Sequence, residues 1–294
     1  MIPGMTPEDV DVSSSAGPLG LIAGNGRFPF LVAQAAKRQG RRVVVAAIRE
    51  ETDPELATEV DEFHWMGLGQ LGRCIETLKR AGVQEAVMAG QVKHRQIFSG
   101  IVPDLRLMGL LARIAFKNTD SLIGAVADVL EKEGIRLLSS TALLEDQMVQ
   151  AGAMTRRKPS RAERADIDYG QRIARGIAGM DLGQTVVVKD RAAVALEAME
   201  GTDEVIRRAG RIAGAGCVVV KVAKPRQDMR FDVPVAGPTT VDAMKEAGAT
   251  VLALEAGRTL LIDKTELLTR ADSFGLSIFG MDVAPLEPGG NERE

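Results

Sequence analysis

The sequence predicts an α/β protein of two domains, an N-terminal unit built on a Rossmann-like parallel sheet and a C-terminal α/β unit. Three observations predict this. Short runs of β-branched and small apolar residues alternate with amphipathic stretches through about the first half of the chain, which is the pattern of βαβ units and a parallel sheet. A basic, proline-broken stretch, Gln150 to Arg161, then interrupts the alternation and reads as a linker. Strand-like and helix-like segments resume beyond it, and 294 residues suffice for two domains with cores of their own. The boundaries expected are a flexible leader at 1–18, a first domain at 19–150, a linker at 151–163, a second domain at 164–284 and a flexible tail at 285–294.

The first strand is Leu19-Gly20-Leu21-Ile22-Ala23, followed by Gly24-Asn25-Gly26 and a helix propagating from Phe30. Strand, glycine turn and helix present backbone N–H groups and a helix N-terminus to an anion. Pro29 stands where a dinucleotide fingerprint has its third glycine, so the turn reads equally as a tight entry to a helix with proline in its first turn. Residues 43–48 form the next strand and lead into Arg49-Glu50-Glu51. Glu50 would sit where a ribose-holding acid belongs, which keeps an NAD(P)-dependent oxidoreductase as one alternative. A strand at 62–65, a helix at 71–80 stopped by Gly82 and a strand at 85–89 follow, the last ending in Gly90-Gln91-Val92-Lys93. Polar groups thus gather at the carboxyl ends of strands, where open α/β sheets bind ligands.

Two amphipathic helices are predicted beyond Pro103, about 104–116 and 120–133, with Thr119 or Asp120 capping the second. The first is apolar on more than one side, which suits core burial or a wall for an acyl chain. A strand at 135–138 closes the first unit. The second unit reads as a helix at 164–177, strands at 185–188 and 192–196, and a helix N-capped by Thr202 or Asp203 that carries Arg207 and Arg208. After the strand that opens at Cys217 come a helix at 240–247, strands at 251–254 and 259–262, a helix at 264–273 and a strand at 276–279.

The composition, 45% apolar and 26% charged, is that of a globular enzyme, and a net charge of −3 leaves no broad basic excess for a nucleic-acid partner. Two cysteines, Cys74 and Cys217, give neither a disulfide framework nor metal-ligand spacing and are expected in the core. The first 18 residues lack the basic start and apolar core of a secretory signal, and no apolar run is long enough to cross a bilayer. A cytoplasmic protein is expected, with contact at a membrane surface still compatible. Homodimer formation is left open.

The most informative stretch is Cys217 to Pro234. It opens as a buried strand, with four β-branched residues among its first six, and then its character changes. Lys221, Lys224, Arg226 and Arg230 alternate with Gln227, Asp228 and Asp232, and Pro225 and Pro234 stiffen the backbone. Cations there suit phosphate oxygens, and an acid among them suits Mg²⁺ or an attacking water. A solvated connection with weak ion pairs has the same charge content. Against that reading, the loop lacks the Gly, Ser and Asn of an idle turn and runs into Gly237-Pro238-Thr239-Thr240, a helix start.

With these residues assembled, the chain resembles the cytoplasmic UDP-2,3-diacylglucosamine pyrophosphatases of lipid A synthesis, the type unrelated to metallophosphoesterases. The resemblance runs from about Leu19 to Asp282. It rests on the stretch from Leu21 to Pro29, on Gly90-Gln91-Val92, on Glu197 to Asp203 followed by Arg207-Arg208, and above all on Lys221 to Pro234. It implies two domains with the lipid substrate between them, Mg²⁺-assisted hydrolysis to UMP and 2,3-diacylglucosamine 1-phosphate (lipid X), and a requirement for Asp232 in turnover. On that basis Asp232 is the expected metal ligand or water-orienting base, with Asp228 or Asp203 as a second ligand. Lys221, Lys224 and Arg230 are the expected phosphate clamp. Gly24, Asn25, Gly26 and Gln91 are candidates for nucleotide or phosphate contacts, and Thr202, Arg207, Arg208, Gln227 and Thr239 for further substrate contacts. A noncatalytic nucleotide-binding regulator is the alternative from another class.

Overall fold

The computed structural model describes residues 17–92, 103–112, 119–225 and 227–282. The predicted leader (save Gly17 and Pro18), Lys93, the end of the helix expected at 104–116, Arg226 and the predicted tail lie outside the described residues. The chain divides into two compact units, with everything from Leu138 onward in the second.

The first unit is built on five strands, β1 (Leu19–Ala23), β2 (Val43–Ile48), β3 (Glu62–Met66), β4 (Glu85–Ala89) and β5 (Arg136–Leu137), in the order β3-β2-β1-β4-β5. The pairs β1–β2, β2–β3 and β4–β5 are parallel. Leu19, Leu21 and Val43 to Val45 are fully buried, as expected for parallel strands covered on both faces. The helices are α1 (Phe28–Arg38), α2 (Leu71–Arg80), α3 (Leu105–Leu111) and α4 (Thr119–Lys132). The Asp104 carboxylate caps α3 by accepting from the Leu107 N–H. Core burial holds for Leu107 in that helix, whereas Leu105 and Met108 are exposed.

The second unit holds a mixed six-stranded sheet. Its strands are β6 (Gly152–Ala153), β7 (Thr185–Lys189), β8 (Ala192–Leu196), β9 (Val218–Lys221), β11 (Val251–Glu255) and β13 (Ser277–Met281), in the order β6-β13-β11-β9-β7-β8. A separate parallel pair is formed by β10 (Val235–Ala236) and β12 (Leu260–Leu261). Strands β9, β11 and β13 are parallel, and β7 runs antiparallel to both β9 and β8. The β7–β8 turn places Asp190 and Arg191 at φ 52° and 58°, the geometry of a two-residue hairpin whose twist matches its strands. One sheet face packs Val187, Val219, Leu252 and Leu254 in a core with residues of α6 (Thr202–Ala213) and α7 (Pro238–Ala247). The other packs Val186, Val188, Val218 and Val220 with α5 (Arg161–Gly179). A Cβ on Gly170 would lie 2.8 Å from Val220 and 2.9 Å from Val188, so only glycine lets α5 approach the sheet this closely. The remaining helix is α8 (Lys264–Ser273).

Two sequence expectations shift for identifiable reasons. Helix α5 starts at Arg161 rather than Arg164, because Ser160 and Glu163 exchange side-chain and backbone hydrogen bonds in a capping box. The N-cap of α6 is Gly201, at φ 83°, and neither Thr202 nor Asp203. The Thr202 hydroxyl is committed elsewhere.

Candidate active site

Strand β9 delivers Lys221 to the edge of the core. The residue is 4% exposed. Its Nζ donates to Thr202 Oγ1 and to the Val235 carbonyl, each at 2.9 Å. Thr202 Oγ1 donates in turn to Glu197 Oε1 at 2.9 Å, while Glu197 Oε2 accepts from the Gln184 N–H at 3.2 Å. Burial pushes the Lys221 pKa down, and the carboxylates of Glu197, Asp203 and Asp232 oppose that shift. The neighbouring Asp203 accepts from Thr240 Oγ1 at 2.8 Å.

The chain then leaves the sheet along fixed anchors. Ala223 N–H donates to the buried carboxylate of Glu255 at 2.8 Å, and an Arg258 guanidinium N–H donates to the Lys224 carbonyl at 3.2 Å. Lys224 N–H donates to Gln227 Oε1 at 2.7 Å, while Gln227 Nε2 is buried with no partner among the described residues. Farther along, Ser140 N–H donates to the Met229 carbonyl at 2.8 Å and Ser140 Oγ to the Arg230 carbonyl at 2.7 Å. A charged loop would ordinarily be mobile; these bonds give this one a fixed backbone course.

On that backbone the charged side chains are half-buried. Lys224 Nζ lies 2.6 Å from Asp181 Oδ1 and 4.0 Å from Asp232 Oδ2. Arg230 grips Asp228 through Nε at 3.0 Å and a terminal nitrogen at 2.8 Å, and this contact holds the Asp228 carboxyl below its usual range. The structure therefore brings together Lys221, Lys224, Gln227, Asp228, Arg230 and Asp232 on one strand exit, with Thr202 and Asp203 beside it. Arg207 pairs with Glu204 and Glu246, and Arg208 with Glu200 and the Leu196 carbonyl, on the outside of α6. Thr239 is exposed, and its neighbour Thr240 is the hydroxyl that enters the network.

In the first unit the sheet order reverses between β1 and β4, the switch point at which such sheets bind ligands. The carboxyl end of β1 carries Gly24, Asn25 and Gly26, and that of β4 carries Gly90 and Gln91. Gly26 and Gly90 both sit at φ 91°, a conformation that favours glycine. Thr52 Oγ1 ties the end of β1 by donating to the Ala23 carbonyl at 2.6 Å. Pro29 is buried in the first turn of α1, and Glu50 is an exposed turn residue at φ 73°.

Residues 18–147 match the family model described as the LpxI N-terminal domain, and residues 150–279 match that of the LpxI C-terminal domain. The chain belongs to the LpxI family. A relative in Caulobacter vibrioides, named UDP-2,3-diacylglucosamine pyrophosphatase LpxI, is 33% identical over 277 residues, covering 90% of this chain and 97% of its own. Among solved structures, the biotin carboxylase domain of a thermophilic 2-oxoglutarate carboxylase bound to ADP is 14% identical, at a TM-score of 0.26. That match covers 57% of this chain and 34% of the other, a likeness too slight to carry any argument.

Sequence reasoning missed several partners within the site, among them Glu197, Thr240, Glu255 and Asp181. Glu197 and Thr240 each left a signal, the first directly after a strand and the second at a helix start, both in stretches already singled out. Asp181 and Glu255 reach the strand exit from distant positions in the chain.

Proposed function

We propose that this chain hydrolyses the pyrophosphate of UDP-2,3-diacylglucosamine to UMP and 2,3-diacylglucosamine 1-phosphate, a step of lipid A synthesis. The observation that carries this reading is the 33% identity to a relative named for that activity, extending over 97% of that relative. The arrangement of the β9 exit supports it chemically. Cutting a pyrophosphate requires a water in line with one phosphorus, neutralised equatorial oxygens and a stabilised departing phosphate. Lys224 and Arg230 supply positive charge on a loop whose backbone is fixed, which is the preorganisation that electrostatic catalysis needs. Asp232, with its side chain 33% exposed, is the acid we assign as metal ligand or as the base that orients the water.

The donor set fits Mg²⁺ held by one carboxylate, with substrate phosphates and waters completing its shell. Among the described residues no three acidic, His or Cys side chains gather as a metal site. Asp232, half-buried beside Lys224, is the residue we assign to the ion. When bound, Mg²⁺ would neutralise phosphate charge and acidify water. We place the reaction on the cytoplasmic side, with the lipid met at the inner-membrane surface. Among the described residues no helix is long and apolar enough to cross a membrane.

The test is direct. Purified chain is incubated with UDP-2,3-diacylglucosamine and Mg²⁺, and UMP is measured with and without exhaustive metal removal. Release of UMP that stops on metal removal is expected. No UMP would overturn the assigned reaction, and undiminished release without metal would remove Mg²⁺ from it.

A further inference from the structure

We propose that Lys221 is a positioning residue: with Thr202 and Glu197 it forms a buried brace that sets the course of the segment bearing Asp232, without touching the diphosphate. The kinetic side of this inference rests on the proposed hydrolysis, while its structural side stands without it. The directions of the hydrogen bonds are all fixed. An ammonium only donates and a carboxylate only accepts, so the single Thr202 proton goes to Glu197 Oε1 and its lone pair accepts from Lys221 Nζ, both at 2.9 Å. A second Lys221 proton goes to the Val235 carbonyl at 2.9 Å. The brace thus joins the end of β8, the start of α6, the end of β9 and the start of β10.

Val235 lies three residues beyond Asp232, with Pro234 between them. The proline ring restricts the backbone there, so fixing the Val235 carbonyl limits where Asp232 can lie. Lys224 and Arg230, whose side chains are 27% and 30% exposed, remain accessible to an arriving anion. Lys221, 4% exposed and already bonded to two internal acceptors, has the surroundings of a structural cation. A buried polar network of this kind favours one arrangement of the chain around it.

The experiment uses Lys221→Met, Thr202→Val and Thr202→Ser in the full chain, with hydrogen exchange followed over peptides spanning 227–236 and steady-state kinetics in parallel. Faster exchange in that segment is expected for Lys221→Met and Thr202→Val, while Thr202→Ser, which keeps the hydroxyl, exchanges like wild type. In the kinetics, kcat falls about tenfold or more and KM stays within about threefold, because positioning in the transition state is lost rather than uniform substrate binding. Unaltered exchange in the segment would overturn the brace, as would a raised KM at wild-type kcat, which marks a direct substrate contact. Should Lys221→Met fail to fold, the Thr202 pair decides alone. Should wild type release no UMP, the reaction assignment fails and the exchange data still decide the brace.

Discussion

Lys221 and Lys224 stand three residues apart on one strand exit and meet opposite surroundings. Lys221 is still in register with Thr185 and Leu254, and strand alternation turns it, like Val219, toward the face covered by α6 and α7. Lys224 comes after the chain has left the sheet, past the Ala223–Glu255 anchor, and reaches Asp181 and Asp232. The difference teaches that a cation's role in such a loop depends on which side of the strand end it falls. Before the end it is an internal tie, and after it a half-buried cation paired with Asp181, the one we propose as a phosphate contact.

The comparison is sharpened most by replacing each lysine with methionine. For Lys221→Met, chemical unfolding should show a loss of about 3–5 kcal/mol, the usual cost of removing one partner from a buried charged network. Equal stability of that variant and wild type would break the contrast. For Lys224→Met, stability should change by less than about 1 kcal/mol, as for an accessible ion pair. Its kcat/KM should fall about tenfold or more if the proposed phosphate contact is made, equivalent to about 1.4 kcal/mol.

How much of this was legible beforehand follows from the range of the signals. Alternating apolar runs and glycine stops are local, so the helix at 71–80 and the strands of both sheets could be placed from sequence, except β6, which lies inside the stretch read as a linker and pairs with β13. The density of charge between Lys221 and Asp232 is also local, and it marked the candidate site. Burial is not local. Nothing near Lys221 announces Glu197 or Thr202 as its partners, and the choice of Thr240 over Thr239 depends on the rotational phase of α7, which its Pro238 start sets. Nor does the sequence near Arg207 and Arg208, candidates for substrate contacts, announce that α7 places Glu246 against the first and the turn before α6 places Glu200 against the second.

A smaller effect separates the site from its scaffold. Burial raises the Glu163 pKa, but hydrogen bonds from Thr250, the Ser160 N–H and Arg157 outweigh it and hold the group at about 2. Since the folded value lies below the unfolded one, the stability it contributes is present above about pH 4.5. That contribution is lost as pH falls toward 2. Glu163→Gln should therefore cost about 1–2 kcal/mol at neutral pH, discounted for solvent screening, and flatten the acid-unfolding profile in that window. An unchanged profile would show that the carboxylate does not couple to folding. The smallest effect expected is at the thiols. Burial pushes Cys74 up to about 12 and also raises Cys217. A bulky thiol reagent should leave both untouched in the folded chain and modify two sites once it unfolds.

The most direct measurement of the central claim is UMP release from UDP-2,3-diacylglucosamine by wild type and Asp232→Ala side by side, with substrate binding and folding checked for both. Wild type should release UMP in the presence of Mg²⁺, and the variant, folded and still binding the lipid nucleotide, should release none above background. Hydrolysis by Asp232→Ala at close to the wild-type rate would contradict the account.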